Sequence, residues 1–316
     1  MLPNQPLTHH QYSIPESKPI AVLKKHGKSF YLASLFLGND HAASAAKLYK
    51  FCRFVDDLAD GTDINKIERL QNIYLCLPHE TCQHEDILEI ESFLALAKEK
   101  NIPLVAAQEL LGGMISDQTP ARFDNTKQLL RYCHAVAGTV GLMMCHVLDC
   151  SHKDANSFAI DLGVAMQLTN IARDVLEDAQ MDRRYIPSEW LNLTELQSEP
   201  SGWVDASIGI RTKISSAIEQ LLNLAEQYYE SAEQGIALLP WRSRFAINVA
   251  LRVYRQIGRQ IKEKKYCWWQ GRQIVSVFKK FQLTILGVTV FIPRKTPTHQ
   301  RKLHESLIGL AGVDGN

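Results

Sequence analysis

At 316 residues and 46% hydrophobic content, of which few residues are aromatic, the chain can build a large aliphatic core and bury about 75% of its unfolded surface, which excludes disorder away from the ends. A formal charge of +1 and a pI near 7.6 lack the basic excess that binding to a phosphate backbone leaves, so nucleic acid is not an expected partner. The cysteines form no CxxC pair and several fall inside apolar helical patterns, so they are read as buried thiols of a reducing compartment.

In chain order, residues 1–19 are polar and contain prolines, with no charged start followed by an apolar run of the secretory type, so a flexible N-terminal segment is expected. Apolar residues then recur at spacings of three and four, which predicts an all-α fold. Helices are expected over roughly 20–36, 40–60, 64–77, 84–99, 103–116, 126–148, 154–179, 205–235, 240–265 and 271–285. Gly38-Asn39-Asp40, Asn101-Ile102-Pro103 and Leu239-Pro240 supply stop and start signals between them. No linker divides this stretch, so residues 20–290 are expected to form one domain, followed by a tail over 291–316. No run reaches the roughly 18 to 20 apolar residues of a spanning helix. Leu283 to Pro293 is a shorter apolar run between Lys279, Lys280 and Arg294, Lys295, which could rest on a membrane surface or form a buried last helix.

The expected second helix carries Tyr49, Arg53, Asp56 and Asp60 at steps of four, three and four, which puts all four on one face with Asp57 beside them. Acidic runs on helices are commonly solvated charges. Near a helix C-terminus, however, the macrodipole and the like-charge pair each oppose the carboxylates, and a bound hard cation such as Mg²⁺ is the simplest compensation.

The expected seventh helix repeats the pattern: Gly163, Gln167, Asn170, Asp174 and Asp178 share one face, and Leu162, Ala165, Leu168, Ile171, Ala172 and Val175 make the remainder apolar. Alone, this row could be core hydrogen-bonders with Asp174 and Asp178 paired to Arg173 or Arg183. Two helices that each present an Asp pair at i, i+4 instead suggest a clamp for metal ions that neutralise a diphosphate. Arg183 and Arg184 follow in a loop that could close over such a group, and Val136 to Gly141 places small residues at helical spacing, for a close helix approach or for a kink that opens room.

The pair DDLAD (56–60) and DVLED (174–178), the latter within QLTNIARDVLEDAQMDRRYIP, resembles the two signatures of the squalene and phytoene synthase family. The resemblance extends from His26-Gly27-Lys28-Ser29-Phe30 through Tyr132–Met144 to Ala246–Tyr266, covering about residues 20 to 285. It implies a single-domain isoprenoid-synthase helical bundle around a central cavity. It also implies metal ligation by Asp56, Asp60, Asn170, Asp174 and Asp178, with Mg²⁺ as cofactor and Mn²⁺ as a substitute. Tyr49 and Arg53 would join these aspartates in catalysis. Lys28, Ser29, Phe30, Val136, Gly141, Gln167, Arg173, Tyr185 and Tyr266 would contact substrate.

The activity so implied is a prenyltransferase reaction: head-to-head condensation of two geranylgeranyl diphosphates through a cyclopropylcarbinyl diphosphate to phytoene, at the entry to carotenoid biosynthesis. Squalene, dehydrosqualene or hydroxysqualene formation from farnesyl diphosphate stays open, as does a catalytically silent relative that assembles other proteins. Cytoplasmic placement with peripheral attachment to the inner membrane face, and contact with downstream carotenoid enzymes, are further expectations, because the product is very apolar.

Overall fold

The computed structural model describes residues 19–79, 87–191, 200–288 and 297–313, with the side chains of His26, Lys28, Ser29 and Ile87 outside the description. Among the described residues no strand forms, and the one β-type pairing is an isolated bridge between Arg122 and Arg184. The helices are α1 (Pro19–His26), α2 (Lys28–Ser34), α3 (Asn39–Asp60), α4 (Lys66–Cys76), α5 (Ile87–Lys100), α6 (Leu104–Ser116), α7 (Thr126–Cys133), α8 (Thr139–Val147), α9 (Ala155–Gln180), α10 (Ile208–Gly235), α11 (Trp241–Glu263) and α12 (Val277–Leu286).

Helix α9 is the central post. Most of its surface is buried, from Phe158 through Val164, Ala165 and Leu168 to Val175, and α8, α10 and α11 pack around it. On the other side of the bundle α3 packs on α5, where Phe51 stacks on Phe93 with ring centroids 3.8 Å apart. Helix starts follow the sequence: Asn125 caps α7 by accepting from the Gln128 amide, and Ser276 caps α12 by accepting from Lys279.

Three expectations are corrected. The helix expected over 20–36 breaks at Gly27, where a Cβ would stand 2.9 Å from the Tyr49 ring. The helix expected over 126–148 is interrupted by a π-helical turn at His134–Gly138, a feature common at functional sites. Lastly, residues 297–313 of the expected tail are packed on the bundle: a 3-10 helix spans Arg301–Leu307, and Leu307, Ala311 and Val313 are buried.

The thiol reading also changes. Cys52, Cys133, Cys145, Cys150 and Cys267 are free, whereas Cys76 is disulfide-bonded; Cys82 lies outside the described residues.

Candidate active site

A cavity of about 400 Å³ opens between α2, α3, α8, α9 and α11. One end is polar, lined by Tyr49, Arg53, Asp56, Gln167, Asn170 and Tyr254; the rest is walled by aliphatic and small residues such as Ala45, Leu48, Val140, Met144, Ala159 and Leu162. The π-turn and α8 approach α9 closely. A Cβ on Gly141 would lie 2.1 Å from the Ala159 carbonyl oxygen, and one on Gly163 would lie 2.2 Å from that of Ala137. Both sequence alternatives for the small-residue stretch are therefore realised, since the helices touch through glycine and the π-turn brings Val136 and Ala137 to the cavity.

At the mouth, Arg53 donates to Asp56 Oδ2 at 2.8 Å and also pairs with Asp57. Across it, Arg173 grips Asp174 with Nε–Oδ1 at 2.7 Å and a second bond at 2.6 Å, and Arg272 reaches the same carboxylate with Nε 2.8 Å from Oδ1. Arg183 stands 3.6 Å from Asp60. Burial lifts Asp56 to about 6, an effect that Arg53 opposes and Asp60 reinforces. Burial and then Asp174 lift Asp178 to about 8, against the pull of Arg183. The acids thus crowd one another in a partly dry site, a condition that a multivalent cation relieves.

Phe30, Tyr49, Val136, Gly141, Gln167 and Asn170 all reach the cavity, while Asp60, Arg173, Asp174 and Asp178 stand at its rim rather than in its lining. Tyr266 is not brought there: its hydroxyl bonds Glu219 at 2.9 Å on the outer side of α10. Tyr185 is buried beneath the mouth, stacked on Tyr132 and bonded to Asp117. His134 is buried away from the acids, between Glu109 and the Ala311 carbonyl. Arg183 belongs to the mouth, but Arg184 is buried and joins the Ala121 backbone.

Sequence reasoning missed three groups. Asp117, at the end of α6, accepts from Tyr132 and Tyr185 and raises the proton affinity of both Asp56 and Asp178, so it lies within the field of both acidic helices. Tyr254 faces Phe30 with ring centroids 5.4 Å apart and lines the cavity. Arg272 sits in the loop after α11, 98 residues from its partner Asp174. None belongs to a local motif; for Tyr254 the i, i+4 continuation of the inward face through Ala246 and Ala250 was the available signal.

The squalene/phytoene synthase family matches residues 23–279. A 15-cis-phytoene synthase from Enterobacter agglomerans is 34% identical over 284 residues, covering 85% of this chain and 95% of that protein. One from Pantoea ananas is 33% identical over 82% of this chain and 86% of its own. Among solved structures, a dehydrosqualene synthase with bound ligand superposes at a TM-score of 0.73 with 27% identity, covering 86% of this chain and 94% of its own. A squalene synthase from Alicyclobacillus acidocaldarius shares the fold at a TM-score of 0.65 and 19% identity, over 78% of this chain and 94% of that one. With two facing acidic helices over a deep apolar cavity and a family match across most of its length, the chain belongs to the squalene/phytoene synthase family.

Proposed function

We propose that this protein condenses two molecules of geranylgeranyl diphosphate to phytoene and two pyrophosphates. The observation that carries this reading is the shape of the cavity. Its lining follows α9 from Asn170 at the polar end to Ala155, fifteen helical steps that rise about 22 Å, room for an extended prenyl tail anchored by its diphosphate at the mouth.

The donor set fits hard divalent ions. Asp56, Asp60, Asp174 and Asp178 offer oxygen ligands, and the Asn170 Oδ1 is buried in the site without a hydrogen-bond partner; these five would hold Mg²⁺, or Mn²⁺ in its place. Bound ions of this kind neutralise diphosphate oxygens and make the group a better leaving group.

The chain's own residues do the rest. Arg53, Arg173, Arg183 and Arg272 ring the mouth, where they meet the negative charge that develops as a C1–O bond breaks and its electron pair leaves with pyrophosphate. The allylic cation left behind is attacked by the C2–C3 double bond of the second substrate, and loss of a proton closes a cyclopropane. A second ionisation, rearrangement and proton loss give the linear product. Apolar walls keep water from both cations, and Phe30, Tyr49 and Tyr254 place aromatic rings in the lining, whose π-faces favour positive charge. In a pyrophosphate-release assay with Mg²⁺, Asp56→Asn and Asp174→Asn should each lower the rate by about 10²-fold or more; wild-type rates in both would sink this assignment.

The product and both substrates favour work at a lipid surface, and α12 supplies a face for it. Ile274, Val277, Phe278, Phe281, Ile285 and Val288 are exposed at helical spacing, next to Lys279 and Lys280. No described helix is long and apolar enough to cross a membrane. Paired Phe278→Glu and Phe281→Glu substitutions should abolish flotation with anionic vesicles and leave the melting temperature unchanged. Undiminished flotation would remove α12 from the membrane contact.

A further inference from the structure

At the end of α9 remote from Asp174 lies a second constellation that the condensation does not use. Asp161 is fully buried, and its carboxylate gathers three groups: Ser231 Oγ donates to Oδ2 at 2.6 Å, His299 Nε2 lies 2.8 Å from Oδ2 and His304 Nε2 lies 2.8 Å from Oδ1. Both imidazoles are nearly buried, with side-chain exposures of 7% and 8%, and their ring centroids are 4.4 Å apart. Among the described residues this is the one group of three His, Cys, Asp or Glu whose ligand atoms all fall within 4.8 Å of one another. Thirteen residues, about 20 Å of helix, separate Asp161 from Asp174, so the cluster is distinct from the acidic mouth.

We propose that Asp161, His299 and His304 form a binding site for a transition-metal dication of the Zn²⁺ class, which fastens the C-terminal segment to the central helix. Two imidazole nitrogens and one carboxylate suit zinc or cobalt, not magnesium, which prefers oxygen and retains water. Ligand bonds of about 2.0–2.2 Å hold tetrahedral partners roughly 3.4 Å apart, so an ion entering between the carboxylate and the imidazoles would widen the 2.8 Å Nε2–oxygen contacts by about 0.6 Å. Three protein ligands leave a fourth position for water. Each imidazole binds as the neutral form with its proton on Nδ1, so coordination replaces the Nε2 hydrogen bonds to Asp161 without any redox step. Ser231 then orients the ligating carboxylate from behind, as partners of metal ligands commonly do.

The placement gives the ion a structural task. Residues 297–313 carry two of the ligands, and the same segment is held by Tyr228 Oη to the Leu303 carbonyl at 2.7 Å and by His134 to the Ala311 carbonyl at 3.0 Å. The His299 ring meets Phe158 edge-on at 5.2 Å, and Phe158 lines the cavity. Fastening this segment therefore supports the cavity wall at the end away from the diphosphates. Both histidines lie beyond residue 279, where the family match ends, whereas Asp161 lies within it.

The full-length protein, stripped by chelator and held in excess Mg²⁺ to occupy the acidic mouth, is titrated with Zn²⁺ and separately with Co²⁺. The expected result is about one zinc per chain retained after desalting, a visible four-coordinate cobalt band, and a melting temperature raised by several degrees on zinc addition. His299→Ala and His304→Gln should lose all three signals, Ser231→Ala should weaken zinc affinity about 10–100-fold, and the exposed His79→Ala should change none. Melting curves in chelator show whether each variant is folded, and Ser231→Ala reads the site even where a histidine variant is not. No retained zinc with no thermal shift in the wild type, or zinc retained equally by both histidine variants, would overturn the proposal and leave the cluster a purely hydrogen-bonded clasp.

Discussion

Tyr132 donates its hydroxyl proton to Asp117 Oδ2 across 2.6 Å, from α7 to the end of α6, beneath the mouth where the two acidic helices face each other. Tyr185 supplies a weaker second bond at 3.3 Å. Asp117 stays difficult to ionise despite them, because burial raises its proton affinity and Asp60 adds to it. Tyr132→Phe removes the shorter bond from a buried carboxylate and should cost about 1–3 kcal/mol of stability. Urea unfolding checks this, with the exposed Tyr74→Phe as a neutral comparison; equal midpoints for the two variants would contradict it.

The raised acids give the metal-free protein a definite pH response. Asp56 at about 6 and Asp178 at about 8, both from a normal 3.8, hold protons in the folded state that the unfolded chain has already released. Between pH 4 and 8 the folded form therefore binds more protons, and stability falls as pH rises through that window. Divalent ions favour the ionised acids, so the thermal stabilisation by Mg²⁺ should be larger at pH 8 than at pH 6. Melting curves with and without Mg²⁺ at the two pH values test the sign.

Gly141 and Gly163 form the seam between α9 and the segment of the π-turn and α8. With backbone carbonyls only 2.1 and 2.2 Å from where a Cβ would stand, Gly141→Ala and Gly163→Ala must push the helices apart. Each should cost about 1–3 kcal/mol or more. Gly209→Ala, with nothing within 4 Å, should be neutral or gain up to about 1 kcal/mol.

The proposed path of the prenyl tail runs along α9. Ala159 is partly exposed and lines the cavity, although it belongs to the central helix α9. Ala159→Phe should place a ring in the path of the tail and lower turnover of geranylgeranyl diphosphate about 10-fold or more, with a smaller loss for farnesyl diphosphate. Parallel rates with the two substrates check this; equal losses would place the tail elsewhere.

The acidic helices were legible because their chemistry is local: Asp56 and Asp60, like Asp174 and Asp178, are one turn apart, and periodicity alone puts each pair on one face. The all-helical bundle was legible for the same reason. Contacts made between distant segments were not. Asp117 and Arg272 reach the mouth only once α6 and the loop after α11 have packed, and His299 and His304 meet Asp161 across 138 and 143 residues. Tyr266 failed in the converse way. It ends the α11 segment at a positive φ of 56°, which turns it away from the inward face that Tyr254 occupies. The need for glycine at position 27 was hidden because the ring that excludes a Cβ there belongs to Tyr49, on another helix.

The most direct measurement incubates purified protein with Mg²⁺ and, separately, geranylgeranyl and farnesyl diphosphate, with and without NADPH, and identifies the extracted hydrocarbon by mass. The expected product is phytoene from the longer substrate without NADPH, with two pyrophosphates released per hydrocarbon. Squalene-type products from farnesyl diphosphate with no phytoene, or no hydrocarbon and no pyrophosphate from either substrate, would contradict it.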